Sequence, residues 1–183
     1  MKIVRERAAV LLVAMGLLAC GDDEKTSTQA ASTCSAARIE ADLDVDPFVG
    51  PAVDASGKLV LAPGTNYIVS STYAQPISGP DGAPVTARYQ EVFGAVAEQL
   101  QKEPGLLAFT LGSSDACGSG RTLAVWKSEA DMYSFVTSDA HTTAMREVQQ
   151  LLLPSYRVTH WSIGSAEQAT FAEAGRQLAA ERQ

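Results

Sequence analysis

Histidine and cysteine are scarce in this chain, with two of the first and three of the second among 183 residues. The cysteines stand at positions 20, 34 and 117, with no CxxC pair and no Cys/His set at zinc-ligand spacing, so no metal is expected. Basic residues are few as well: 14 Lys and Arg against 21 Asp and Glu leave a net charge of -7, without a basic cluster. Phosphate binding relies on Lys and Arg displacing counterions, so nucleic acid is excluded as a partner class. Glycine-rich phosphate loops, a nucleophile elbow and paired catalytic carboxylates are also missing. The apolar run Ala8–Ala19 is well short of the roughly 20 residues that cross a bilayer. What is present is a 46% hydrophobic composition, ample for a packed core, on a length that fits one domain with appendages.

The first residues read as a targeting segment. Lys2, Arg5 and Arg7 precede the apolar run, which ends in Leu17-Leu18-Ala19-Cys20. That tetrapeptide resembles the lipobox of bacterial lipoproteins. The resemblance implies cleavage after residue 19, lipidation of Cys20, and anchorage in the cell envelope on a membrane facing the periplasm or exterior. Residues 1–19 carry +2, so the chain from Cys20 onward carries -9. Cys34 and Cys117 are then left in an oxidising compartment. A disulfide between them is the expectation, two free thiols the alternative.

Residues 20–37 are small, polar and aperiodic, a flexible tether. Residues 38–65 read as an extended lead-in with one short strand at Leu59–Leu61, either covering a sheet edge or prolonging the tether. Regular patterning begins at 66. Strands are expected at Asn66–Ala74, Leu106–Leu111, Arg121–Trp126 and Tyr156–Ile163. Tyr89, Val92, Phe93, Val96, Ala97 and Leu100 form one stripe of a helix over Thr86–Lys102. Ser128 to Asp131 opens a second helix, Thr142–Leu152 makes a third, and Ser165 caps a last one anchored by Phe171 and Leu178. The order β-α-β-β-α-β predicts an α+β, ferredoxin-like antiparallel sheet over residues 66–163, with helices on one face and a C-terminal helix completing a domain of 66–183. The other face needs a cover, and a second copy supplies one, so a homodimer is expected.

The stretch Thr122–Trp126, followed by Met132, Phe135, Ser138, His141 and Ala144-Met145-Arg146, resembles the antibiotic biosynthesis monooxygenase-like domains of the dimeric α+β barrel superfamily. The resemblance covers roughly residues 66–163. It implies a pocket between sheet and helices and oxidation of a phenol- or quinol-like small molecule without a cofactor. Haem-degrading members use an Asn, a Trp and a His; Asn66 matches the first, but the other two positions fall on Phe135 and Met145. His141, at a helix start where the dipole favours a neutral ring, is the candidate base, its other reading being a cap or edge contact. Trp126, Phe135, Tyr73, Asn66 and His160 are the candidate substrate-binding residues, although Trp126 at a strand end also fits plain core. Tyr73 and Asn66 lie on opposite faces of one strand, as do His160 and Trp161 on another, and parity does not say which faces the helices. The competing class is a non-catalytic, small-ligand-binding or structural envelope lipoprotein.

Overall fold

The computed structural model describes residues 34–78 and 86–181. The signal segment, Cys20 and the tether up to residue 33 lie outside the described residues. Strands β1 (Asp44–Val45), β2 (Tyr67–Ala74), β3 (Leu106–Ser114), β4 (Ser119–Trp126) and β5 (Arg157–Ile163) form one sheet in the order β1-β3-β4-β2-β5, every neighbouring pair antiparallel. Without the two-residue edge strand β1, this is the ferredoxin-like order that the sequence predicts.

Three helices lie on one face: α1 (Ala87–Lys102), α2 (Glu129–Val136) and α3 (Asp139–Leu151). Each starts on a hydroxyl cap. Thr86, Ser128 and Ser138 accept from the backbone N–H three residues on, satisfying a donor that the first turn leaves free. The stripe on α1 holds, with Val92 buried and Tyr89, Phe93 and Val96 packed around Ala74, Ala144 and Leu151. Helix α1 stops at Pro104-Gly105, where glycine is required: a Cβ on Gly105 would come within 2.2 Å of the Asp131 side chain at the start of α2.

The opposite face departs from expectation. Alternate residues of three strands (Tyr67 and Val69 on β2, Leu123 and Val125 on β4, Trp161 and Ile163 on β5) pack there against Phe171, Ala174, Leu43, Phe48, Leu59 and Leu61. Their cover is the chain itself: residues 34–65 and helix α4 (Phe171–Ala180). The C-terminal helix therefore lies across the sheet from the other three. The ground for expecting a second copy, an uncovered face, is absent.

Residues 34–65 are thus neither tether nor spacer. The segment runs along the edge of β3, where the N–H groups of Asp46, Val49 and Ala52 donate to the carbonyls of Leu111, Phe109 and Leu107. Gly50 makes the close approach with φ +145°; a Cβ there would sit 2.5 Å from the Leu107 carbonyl oxygen. Leu59–Leu61 does not form a strand, since Leu59 takes part only in an isolated bridge to Val53. Two further boundaries move. Ser165 caps a 3₁₀ turn, Ala166–Gln168, and α4 is capped by Thr170 instead. The loop between β3 and β4 shrinks to a turn at Asp115–Gly118, because the strands run on to Ser114 and restart at Ser119.

The tether ends earlier than its composition suggests. Cys34 is bonded to Cys117, as expected, and Ala36 is buried against Tyr73 and Leu178. Beside them sits an ion pair that the sequence reading missed. Arg121, fully buried on β4, donates to Glu40 at 2.8 Å and to the carbonyls of Ser35, Ala36 and Arg38. Ser119 donates to the second Glu40 oxygen at 2.6 Å. The signal was available: Arg121 shares strand parity with Leu123 and Val125, an apolar face on which a charge demands a partner.

Candidate active site

The helix-facing side of the sheet carries Ile68, Ser70 and Ala74 from β2, Ala124 and Trp126 from β4, and Val158, His160 and Ser162 from β5. Trp126 is fully buried and its indole N–H donates to the Ser70 hydroxyl at 2.9 Å. Its ring meets Phe135 of α2 with centroids 5.5 Å apart, and Phe135 meets His141 of α3 edge-on at 5.1 Å. Across the strand pair, Ser70 stands opposite His160. The His160 ring faces Tyr133 of α2 at 6.4 Å and lies 3.9 Å from the Glu129 carboxylate. Both histidines of the chain therefore border α2, one at each flank.

Their environments differ. His160 is on an edge strand whose helix-side residues Val158, His160 and Ser162 are all exposed. His141 is the third residue of α3; its own N–H is taken by the Ser138 cap, and the ring is half-buried. Burial pushes its pKa below the ordinary histidine value, and the nearby Val136 carbonyl opposes the shift only in part. Among the described residues, the buried Nδ1 has no hydrogen-bond partner. The helix N-terminus adds to the preference for the neutral ring. Chemically this is an imidazole held towards its uncharged form, with an unmatched nitrogen, beside the Phe135 ring.

The predicted site residues divide accordingly. His141, Phe135, Trp126 and His160 come together around α2. Tyr73 does not; it points to the opposite face, under the Arg121 guanidinium at 4.7 Å, where burial and then the Glu40 charge push its phenol pKa up. The parity argument was correct and the choice of cavity was not. Asn66 precedes β2 as an exposed residue and lines no buried space. Ser70, the hydrogen-bond partner of Trp126, was missed because a Ser-Ser pair within a strand carries no sequence signal for which hydroxyl is used. Two clefts are prominent: one of about 300 Å³ between α1 and α3, lined by Arg88, Val92 and Asp139, and one of about 390 Å³ on the opposite face, lined by Leu43, Leu123 and Phe171. Neither is lined by His141.

A family model described as antibiotic biosynthesis monooxygenase matches residues 83–147. No curated protein matches the chain. Among solved structures it is similar to SnoaB, a cofactor-independent oxygenase from Streptomyces nogalater, at 16% identity over 55% of this chain and 94% of that one, with a TM-score of 0.41. It is similar to a Mycobacterium tuberculosis protein at 17% identity over 52% and 92%, with a TM-score of 0.43. A Shewanella oneidensis protein follows at 12% identity over 67% and 97%, with a TM-score of 0.42. The segment matched by the family model takes in the described helix α1, the β3–β4 hairpin, α2 and α3 as far as residue 147, the elements that carry Trp126, Phe135 and His141, and it is over this segment that the chain is similar to the antibiotic biosynthesis monooxygenases.

Proposed function

We propose that the domain oxidises a phenol- or quinol-like small molecule without a cofactor, with His141 as the base. The observation that carries this reading is the neutral imidazole whose buried Nδ1 lacks a partner beside the Phe135 ring. Such a nitrogen takes the proton of a bound hydroxyl; the electron-rich anion left behind reacts directly with dioxygen, the co-substrate. Phe135 and Trp126 supply the apolar wall, Ser70 positions the indole, and His160 stands on the open flank. The test is oxygen uptake with a panel of hydroquinones. The native chain turns over at least one member, and His141→Ala lowers kcat by about 10²–10⁴-fold. Because burial lowers the His141 pKa, the base form persists at neutral pH, and the rate falls only as pH drops below the ordinary histidine value near 6.5. Equal rates in the two proteins remove His141 from the mechanism.

A second reading rests on a specific observation. Leu106, Met132 and Phe135 close around a fully buried Trp126, and the two prominent clefts lie elsewhere. A packed layer at that point favours a non-catalytic module that binds or holds rather than converts. Absence of oxygen uptake across the panel selects it.

We further propose that Cys20 carries lipid and holds the domain on an envelope membrane, from the Leu-Leu-Ala-Cys sequence directly after an apolar core. Incorporation of a labelled fatty acid, abolished by Cys20→Ser together with loss of membrane-fraction protein, is the expected result. Labelling unchanged by Cys20→Ser overturns the assignment.

A further inference from the structure

We infer that the cleft of about 390 Å³ on the sheet face opposite helices α1–α3 seats one acyl chain of the lipid on Cys20. The inference rests on the reading of Cys20 as the lipid attachment point. The cleft opens between the strip of residues 39–48 and the start of α4, over β3 and β4, and Ile39, Leu43, Val45, Phe48, Leu123 and Phe171 give it an apolar lining. Its floor is kept bare by Gly112 of β3, where a Cβ would stand 3.1 Å from Leu43 and 3.2 Å from Phe171. The size falls within the roughly 300–1,000 Å³ of small-ligand sites. A methylene is close in size to a water, whose share of liquid volume is about 30 Å³, so the cleft takes on the order of a dozen chain carbons. That is one chain, not two.

The surroundings select an apolar, uncharged occupant. Glu40, the charged group of the lining, has its two oxygens taken by Arg121 and Ser119, and the Thr110 hydroxyl donates to the Asp46 carbonyl at 2.5 Å. At the mouth, Ile39 and Val45 are 40% and 47% exposed. The exposed carboxylates of Asp44 and Asp46 flank Val45 and repel the carboxylate of a free fatty acid, whereas a lipid joined to Cys20 brings none. Chain length brings that lipid to this mouth. Cys34 is bonded to Cys117, and Asp42 takes the Ser114 hydroxyl and the Ala116 N–H, so the strip that walls the cleft stays in place. Ile39 lies five residues after Cys34, at most about 16–18 Å away, while the 14 residues from Cys20 to Cys34 span up to about 46–50 Å. The encounter is intramolecular, which favours the chain's own lipid over a free one. With one chain in the cleft and the rest in the bilayer, the cleft side turns to the membrane and His141 of α3 faces away from it.

The test is a photoreactive lipid on the full chain. Cells making the protein are fed a diazirine-bearing fatty acid, their membranes are irradiated, and the links are mapped by mass spectrometry. Label is expected on Cys20, linked within the same chain to residues 39–48 or to Phe171. Val45→Trp blocks the mouth and is expected to lower that link at least tenfold at unchanged labelling. Ile39→Trp, also at the mouth, serves in its place where the first variant does not fold. Labelling no higher than in Cys20→Ser ends the anchor reading, and the inference with it. Label on Cys20 that links only to bilayer lipid, to a second chain or to other residues overturns the inference alone. So does a link undiminished by a folded mouth variant.

Discussion

Glu40→Ala is expected to lower the free energy of unfolding by about 3–5 kcal/mol, read as a fall in the urea midpoint at unchanged slope. The magnitude follows from burial: the side chains of Arg121 and Glu40 are 0% and 1% exposed. Removing the carboxylate leaves the guanidinium charged in an apolar layer and strips the Ser119 hydroxyl of its acceptor. Replacing both partners with methionine is a different experiment. Exchanging a buried pair for apolar side chains is often neutral or stabilising, because desolvation of two charges no longer counts against folding. Here Arg121 also serves the carbonyls of Ser35, Ala36 and Arg38, and burying an acceptor unmatched costs about 1–3 kcal/mol. The double methionine variant is therefore expected to remain below the native protein while recovering part of the single-variant loss. A loss under 1 kcal/mol for Glu40→Ala would falsify the claim that the pair organises the cover.

Loss of the Cys34–Cys117 bond ranks second. The bonded residues are 83 positions apart, and a loop of that length corresponds to about 4–5 kcal/mol in the chain-entropy account, against a usual range of about 2–5. The segment it fastens is also held by the Arg121 cluster and the Asp42 contacts, so the bond acts mainly on the unfolded chain. The Cys34→Ser, Cys117→Ser double variant should therefore fold to the same structure with a urea midpoint lowered by the equivalent of about 2–5 kcal/mol. A native protein treated with a dithiol reductant should match it. A midpoint unmoved in both would show that the unfolded chain is already restricted there by other means.

The βαββαβ core was legible because its signals are periodic. Tyr89, Val92, Phe93 and Val96 repeat at helical spacing, and β2 and β5 alternate. Residues 34–65 have no such period. Leu43, Phe48, Leu59 and Leu61 reach the core singly, between Gly and Pro, and the segment is held to β3 by backbone hydrogen bonds that any sequence can make. The sequence left it as either an edge cover or an extension of the tether, and neither reading placed it over the second sheet face, whose cover was expected from a second copy. Caps were legible in type but not in place. Ser165-x-x-Gln168 and Thr170-x-x-Glu173 both fit a helix start, and only the stop at Ala169 assigns the first to a separate turn. For the site, parity separated Tyr73 from Asn66 and His160 from Trp161 without saying which face was which. The missing information is tertiary: Arg121 fixes the side to which Tyr73 points, and with it the side to which Ser70 and Trp126 belong.

The bond between Cys34 and Cys117 also sets the path by which force enters the molecule. Cys117 sits in the turn at the tip of the β3–β4 hairpin, where Gln75 and Ser114 grip its backbone. Tension applied to the chain ahead of Cys34 crosses the sulfur atoms and arrives at that tip, leaving residues 35–65 slack. The strip that completes the sheet is thus shielded from any pull on the N-terminal side, and the hairpin carries the load in its place.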